Sequence, residues 1–138
     1  MEYHAAATIH ASPEAIWALL TDAAQYPEWN PTVVRVEGEI ALGKKITVVA
    51  TVSPERAFPV TVSELVPNER MVWRGGMPLG LFRGVRTFTL SPAAGGATAF
   101  AMSEVFSGPL LGLIRRSMPN LQPSFDEFAR SLKLRAEG

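Results

Sequence analysis

The chain has 138 residues, 47% of them hydrophobic, which suits one domain that can bury its own core. Thirteen basic residues balance thirteen acidic ones, so bulk charge gives no reason to expect nucleic acid as a partner. The absence of cysteine excludes a disulfide framework and thiolate chemistry, and fits a reducing, cytoplasmic location. We expect no signal peptide, and no run reaches the roughly 18 apolar residues of a membrane span.

The first thirty residues predict one strand and two short helices. Side chains from Tyr3 to His10 alternate between two faces, as they do in a strand. Ser12 then predicts an N-cap, with a helix running from Pro13 to about Thr21. Asp22 can cap a second short helix that ends near Tyr26.

Six further strands are predicted between residues 32 and 106, because segments rich in Val, Ile, Thr and aromatic residues alternate with turn residues. None of the connections is long enough for a crossover helix, so the strands should pair as an antiparallel meander. The predicted strands are Thr32–Glu37, Lys44–Val52, Ala57–Val66, Arg70–Gly75, Phe82–Leu90 and Thr98–Phe106.

The run from Ser107 to Glu137 predicts one long amphipathic helix with Ser107 as its N-cap. Pro119 and Pro123 interrupt its pattern, so we expect a kink near residues 118–120, and two separate helices are the alternative. Its apolar stripe consists of Leu111, Ile114, Met118, Leu121, Phe125, Phe128 and Leu132.

These elements predict a single α+β domain over residues 1–138. About seven antiparallel strands should curl around the C-terminal helix, because a sheet of that size normally twists and coils. A strongly curved sheet and a straight helix diverge at one end. We therefore expect a hydrophobic cavity between them.

Seven short segments along nearly the whole chain form a recognisable series: Ala11–Trp17, Leu20–Asp22, Tyr26–Pro31, Val72–Gly75, Leu81–Gly84, Phe88–Leu90 and Glu104–Gly108. In this order they resemble the START-like (SRPBCC) superfamily, and within it the polyketide cyclase/dehydrase and lipid-transport group with the Bet v 1-like helix-grip fold. The resemblance implies the helix-grip fold and a hydrophobic cavity. It implies no single reaction, since such folds host carriers, cyclases, hydrolases and chaperone-like modules.

Two charges lie in phase with large apolar residues. Arg86 shares a strand face with Phe88, and Glu104 shares one with Met102. A hairpin about residues 91–97 places Arg86 and Glu104 directly or diagonally opposite each other, within reach of an ion pair. One interpretation is a polar anchor, in which Arg86 holds a ligand carboxylate, phenolate or carbonyl and Glu104 orients it or acts as a general base. The other is a structural ion pair, or a bulge that turns both residues into water. In the resembled family the position of Arg86 more often carries His.

Four other residues near the predicted cavity have two interpretations each. Trp29 and Asn30, between two prolines, form either a rim of the cavity mouth or a hydrophobic plug, and we prefer the plug. Trp73 belongs to the core or to the cavity wall. Glu64 shares a face with Val62, but we expect a bulge to turn it outward.

Other motifs give weaker signals. His4 and His10 have no third ligand nearby, so no metal site is expected. Glycines flank Met77–Phe82, which we predict to be a mobile flap. Arg115 and Arg116 belong to a solvated face or, less simply, to a membrane contact.

We predict a carrier of a small hydrophobic molecule, such as a lipid, isoprenoid or polyketide-like aromatic, with no cofactor and acting as a monomer or homodimer. One alternative is an enzyme of cyclase, dehydratase or hydrolase type, with Glu104 and Arg86 as catalytic candidates. Another is a co-chaperone-like or regulatory interaction module, which predicts a filled core and an exposed apolar patch. The candidate ligand-binding residues are Trp29, Asn30, Phe58, Trp73, Phe82, Arg86, Phe88, Phe100, Met102, Glu104, Leu111, Ile114, Met118, Leu121 and Phe125.

Overall fold

The computed structural model describes all residues from 1 to 138. Three short 3-10 turns occur, at Ala23–Gln25, Pro78–Gly80 and Ala94–Gly96. The strands and helices are β1 (Glu2–Ile9), α1 (Pro13–Leu20), α2 (Tyr26–Trp29), β2 (Val33–Glu37), β3 (Lys45–Ala50), β4 (Phe58–Val66), β5 (Arg70–Gly76), β6 (Arg83–Pro92), β7 (Thr98–Ser107), α3 (Leu111–Ile114) and α4 (Gln122–Glu137).

The seven strands form one antiparallel sheet in the order β1-β7-β6-β5-β4-β3-β2. Strands β2 to β7 follow one another as a meander, as predicted, and β1 lies beside β7. With α4 packed across one face, this confirms the predicted α+β helix-grip fold. The sheet keeps two free edges, at β1 and β2.

The start of α1 follows the predicted capping. Ser12 Oγ accepts a hydrogen bond from the backbone N–H of Ala15 at 3.1 Å, and Pro13 occupies the first turn, where it needs no donor. The predicted cap at Asp22 is wrong in detail. Asp22 precedes the 3-10 turn, but its side chain makes no capping hydrogen bond.

The C-terminal region contains two helices, so the alternative to a single kinked helix is correct. The short helix α3 ends at Ile114, and α4 begins at Gln122. Pro119 lies in the link between them and Pro123 in the first turn of α4, where a missing N–H costs nothing. Asn120 Oδ1 accepts from the backbone N–H of Gln122 at 3.1 Å. Ser107 is the last residue of β7, so its prediction as an N-cap is wrong.

Helix α4 is fastened along β1. Gln122 Nε2 donates to the carbonyl of His4 at 2.7 Å, and Lys133 Nζ donates to the carbonyl of Thr8. At the far end Glu137 Oε2 accepts from the backbone N–H of His10 at 2.8 Å. These contacts hold the apolar stripe of α4 against the concave face of the sheet.

Aromatic side chains fill the space beneath the middle of α4. The ring of Phe128 lies 5.5 Å from that of Trp29, 5.8 Å from Phe88, and 6.3 Å from both Tyr26 and Phe100, centroid to centroid. All five side chains are buried. The expected enclosed cavity is therefore absent from this part of the interface, because large rings from α2, α4 and the sheet occupy it.

Candidate functional site

Four concave-face side chains form a row across the neighbouring strands β1, β7, β6 and β5. Tyr3 pairs with Glu104, Glu104 with Arg86, and Arg86 with Trp73. Side chains of directly paired residues share a face of the sheet, with Cβ atoms roughly 4.5–5.5 Å apart. A charged pair is thus placed between two aromatic residues on the face that α4 covers.

Arg86 and Glu104 form an ion pair. Arg86 Nε donates to Glu104 Oε1 at 2.7 Å. The β6–β7 register contains no bulge, so the interpretation in which a bulge turns both residues into water is wrong. The side chains keep 22% and 14% of their surface exposed. Water therefore reaches the pair from one side.

The guanidinium of Arg86 also lies against aromatic rings. Its central carbon is 4.9 Å from the centroid of Phe125, the distance of a cation–π contact. Burial raises the pKa of Tyr26 far above its ordinary value, and the positive charge of Arg86 opposes that shift. Tyr26 donates its phenolic proton to the carbonyl of Leu20 at 2.6 Å. The Tyr26 phenol is thus neutral and committed to a structural hydrogen bond.

Arg86 retains hydrogen-bonding capacity. A guanidinium has five N–H donors, and only the Nε–H of Arg86 is bonded to the protein. The indole N–H of Trp73, directly across the strand pair, is buried without an acceptor. Trp29 Nε1 and Asn30 Nδ2 are likewise buried and unpaired. Trp29 and Asn30 belong to the filled core, so the unused donors that face the open end are the terminal nitrogens of Arg86, and they favour an acceptor-bearing guest.

Gly84 leaves room for the Glu104 carboxylate. A Cβ atom at Gly84 would lie 3.0 Å from Glu104 Oε2 and 3.1 Å from a ring carbon of Phe106. The ring of Phe106 stacks on Phe82 at 5.7 Å and meets the edge of Tyr3 at 6.3 Å. These aromatic residues form an apolar frame beside the ion pair.

We call the region around Phe82, Gly84, Arg86, Glu104 and Phe106 the open end of the sheet. It lies where β7 ends and the chain passes into α3 and the link 115–121. The predicted stripe residues of this segment (Leu111, Ile114, Met118 and Leu121) are only half-buried, whereas those of α4 are buried. The broken helix therefore leaves the grip incompletely closed here.

The predicted ligand-binding residues separate into three groups. Phe58 is 42% exposed at the start of β4, where it pairs with Val48 of β3 and lies away from Arg86. Seven residues are core: Trp29, Asn30, Trp73, Phe88, Phe100, Met102 and Phe125. Seven are half-buried at or near the open end: Phe82, Arg86, Glu104, Leu111, Ile114, Met118 and Leu121.

The structure also decides two neighbouring predictions. Trp29 and Asn30 are buried, with Trp29 packed on Tyr26 and Phe128, which fits the preferred plug interpretation. A register shift between Val62 and Glu64 turns Glu64 outward, where it accepts from Arg70 Nε at 2.9 Å, as predicted.

Sequence reasoning missed four residues of the site: Tyr3, Tyr26, Gly84 and Phe106. Phe106 shares the alternating face of Glu104, and this signal was sufficient to include it. Tyr3 could not be found in this way, because its proximity depends on β1 pairing with β7 across a hundred residues. Tyr26 lies in a helix of four residues, too short to give a periodic pattern.

Two pockets on the surface are distinct from the open end. One, of about 290 Å³, lies over β3–β5 next to Lys45 and Arg74. The other, of about 490 Å³, lies between β1 and α4 and includes Asp126 and Lys133. No group of three or more His, Cys, Asp and Glu side chains is placed to hold a metal ion. No helix is long and apolar enough to cross a membrane.

A curved antiparallel sheet gripping a C-terminal helix is the fold of a START-like domain. The sequence model of the family described as "Polyketide cyclase / dehydrase and lipid transport" matches residues 2–137, so the chain belongs to that family. No curated protein matches the chain by sequence.

Solved structures share the fold at low identity. A START superfamily protein from Mycobacterium smegmatis is 16% identical, with a TM-score of 0.72 over 99% of this chain and 97% of that one. Protein MLL2253 from Mesorhizobium loti is 22% identical, with a TM-score of 0.73 over 97% and 95%. The Aha1 dimer from Colwellia psychrerythraea is 19% identical, with a TM-score of 0.75 over 99% and 96%.

Proposed function

We propose that the protein binds a small, mostly apolar molecule bearing one anionic or carbonyl group, and that this group is held by Arg86 at the open end of the sheet. The family description includes lipid transport and polyketide cyclases, which makes a fatty acyl, isoprenoid or polyketide-like aromatic compound the natural ligand class. The proposal includes a cytoplasmic carrier, present as a monomer or homodimer.

The observation that carries the proposal is that Arg86 has unused hydrogen-bond donors. Its terminal nitrogens are without a protein acceptor, yet its side chain lies on the apolar concave face beside Phe125. A purely structural ion pair does not require this unused donor capacity. A ligand carboxylate can take two parallel hydrogen bonds from a guanidinium, which is a strong and orienting contact.

The apolar surroundings supply the rest of the affinity. Burying about 300 Å² of apolar ligand surface at about 25 cal/mol per Å² contributes roughly 7 kcal/mol before the costs of association are subtracted. Those costs consume most of the gain, so micromolar affinity needs the polar contact as well. Because the centre of the interface is filled, the ligand should enter from the open end and contact Phe82, Phe106 and the half-buried α3 segment.

A matched pair of ligands tests the polar contact. Dodecanoate and dodecanol differ in the head group alone, and binding of each is measured by calorimetry. We expect dodecanoate to bind at least tenfold more tightly, and Arg86→Gln to remove that preference. Arg74→Gln is the control, because Arg74 lies on the opposite face of β5, one residue from Trp73. Equal binding of both ligands, or equal effects of the two substitutions, contradicts the proposal.

A second measurement addresses the natural ligand. Purified protein is extracted with organic solvent, and the extract is analysed by mass spectrometry beside an extract of the Arg86→Gln variant. A compound recovered with the wild-type protein and depleted in the variant identifies the ligand class. Recovery of the same compounds from both proteins counts against Arg86 as the anchor.

An enzyme of cyclase, dehydratase or hydrolase type is the second candidate, favoured by Glu104. Its carboxylate accepts only one hydrogen bond, from Arg86, and water reaches it. A general base of this kind, held next to the group that binds the substrate carbonyl, could remove a proton from the neighbouring carbon. Once a ligand is known, Glu104→Gln should abolish turnover and leave binding intact if Glu104 is the base.

The interaction-module alternative rests on two features, a filled core and an exposed apolar patch. The structure has a filled centre beneath α4 and large exposed apolar side chains, including Leu79 and Leu113. This alternative does not account for Arg86 and Glu104 on the concave face, where burying two charges is costly without a use for them. We therefore place it third.

A further inference from the structure

Several large apolar side chains project into solvent beside the open end. Leu79 is 95% exposed, Leu113 is 68% exposed, and Met77 is also exposed. Leu79 lies in the β5–β6 loop and Leu113 in α3. Single exposed apolar residues are ordinary, but a group of them at one end of a molecule marks a contact surface.

Two backbone contacts bring this loop and α3 together. The N–H of Leu110 donates to the carbonyl of Leu81 at 2.9 Å. A Cβ atom on Gly108 would lie 2.6 Å from the same carbonyl, so the two segments approach as closely as glycine allows. Leu79 is two residues from Leu81, and Leu113 is about one helical turn beyond Leu110. The apolar side chains therefore belong to one patch.

Leu79 has an unusual backbone as well as an exposed side chain. Its φ is +61°, in the left-handed region that disfavours residues with a bulky side chain. The only other non-glycine residue with positive φ is Asn68, whose side chain suits such a turn. Leucine at position 79 thus carries a conformational cost and gains no contact within the chain. Local strain of this kind points to a use outside the fold.

Three arginines next to the patch have no acidic partner. Of the six arginines between residues 70 and 125, Arg70 and Arg86 are paired with Glu64 and Glu104. Arg83 begins β6, and Arg115 and Arg116 directly follow α3. All three are exposed, and none forms a salt bridge. Their guanidinium groups are free to meet an anionic partner.

We propose that the patch formed by Met77, Leu79, Leu113, Arg83, Arg115 and Arg116 docks the open end of the domain onto the surface of an anionic lipid bilayer. Apolar side chains that enter the interface, flanked by arginines that meet lipid phosphates, are the combination that such surfaces bind. A protein partner would need a surface of complementary shape. A bilayer surface can take up two protruding leucines and bind the three neighbouring arginines without one. The inference is independent of any ligand bound inside the domain.

Vesicle flotation tests the inference on the full chain without added ligand. The vesicles contain phosphatidylcholine alone or phosphatidylcholine with phosphatidylglycerol. We expect binding to the anionic vesicles at least tenfold tighter than to the neutral ones, and weaker at high ionic strength. Arg115→Gln/Arg116→Gln should weaken it by about fivefold for each arginine removed.

The leucine variants test whether this patch, and not exposed apolar surface in general, causes vesicle binding. Leu79→Asn with Leu113→Gln should weaken vesicle binding at least tenfold, and asparagine suits the backbone at position 79, so folding is preserved. The controls are Leu42→Asn and Leu134→Gln, which remove leucines that are 63% and 61% exposed elsewhere on the chain. Binding to neither vesicle type, or equal losses in the controls, overturns the inference. Self-association that depends on Leu79 and Leu113, without vesicle binding, also overturns it and assigns the patch to a dimer.

Discussion

Arg86 and Glu104 lie directly opposite each other on β6 and β7, and a 2.7 Å hydrogen bond joins Arg86 Nε to Glu104 Oε1 on the concave face of the sheet. Both charges are mostly removed from water, with Phe125 packed against the guanidinium. Each charge in such a pair stabilises the other, because a partly buried charge without its partner lowers the stability of the folded state.

The first prediction is a strong coupling between these two residues. Arg86→Met and Glu104→Met should each lower the free energy of unfolding by about 1–3 kcal/mol, because each leaves an unpaired charge on an apolar face. The double variant should cost clearly less than the two single variants added together. Urea unfolding of the four proteins measures the cycle.

The exposed pair Arg70–Glu64 is the control for that cycle. Its atoms are 2.9 Å apart, but its side chains are 46% and 43% exposed. Exposed pairs contribute roughly 0–1 kcal/mol, so Arg70→Met and Glu64→Met should show little coupling. Equal coupling in both pairs would show that the concave face gives Arg86 and Glu104 no special environment.

The second prediction concerns Gly84. Alanine there places a methyl group 3.0 Å from Glu104 Oε2 and 3.1 Å from Phe106, so the carboxylate or the ring must move. We expect the free energy of unfolding to change by less than about 1 kcal/mol, since alanine restricts the unfolded chain. The affinity for dodecanoate should change several-fold. Gly112→Ala, with no atom within 4 Å of the added methyl group, should leave that affinity unchanged.

The third prediction is a loss of stability at alkaline pH that depends on Tyr26. Burial raises the pKa of Tyr26 above its ordinary value of 10.0. Above that pH the unfolded chain gives up the phenolic proton while the folded chain keeps it. Stability should therefore fall by up to about 1.4 kcal/mol per pH unit from this group.

Tyr26→Phe removes that decline and also the hydrogen bond to the Leu20 carbonyl, which should cost about 1 kcal/mol at neutral pH. Thermal unfolding of both proteins at neutral and alkaline pH gives the comparison. Tyr3→Phe serves as the control and should retain the decline. If wild type and Tyr26→Phe lose stability in parallel as the pH rises, the fold does not raise the pKa of the Tyr26 phenol as the structure indicates.

The fourth prediction concerns Glu137 in acid. The backbone N–H of His10 lowers the pKa of Glu137, and Lys133 lowers it further. Its stabilising effect is therefore present above the ordinary value of 4.5 and disappears as the pH falls through the folded-state pKa. Glu137→Gln should be less stable than wild type at neutral pH and equal to it in acid. Glu55→Gln, at an exposed glutamate outside any ion pair, should match wild type at both.

The predicted strands and the Arg86–Glu104 register agree with the structure because local patterns determine them. Alternation along β6 and β7 assigns both residues to the apolar face, and a short hairpin loop fixes which residues are opposed. The outward turn of Glu64 follows from a bulge, which also acts over a few residues. Such features need no knowledge of distant parts of the chain.

The features that sequence could not supply depend on distant contacts. The pattern around Pro119 allows either a kink or a break, and the contact of Gln122 with the carbonyl of His4 joins residues 118 positions apart. The filling of the expected cavity depends on the meeting of Trp29 from α2 with Phe128 from α4. The hundred-residue separation of these elements leaves no local signal of their contact.

The fastening of α4 along β1 also bears on misassembly. A free strand edge offers its carbonyl and amide groups to strands of other molecules. Two of the edge carbonyls of β1, at His4 and Thr8, are already occupied by the side chains of Gln122 and Lys133. Shortening the chain before α4 would therefore uncover the aromatic interior and unblock this edge at the same time, and fibril formation, not simple unfolding, is the fate to expect of such a fragment.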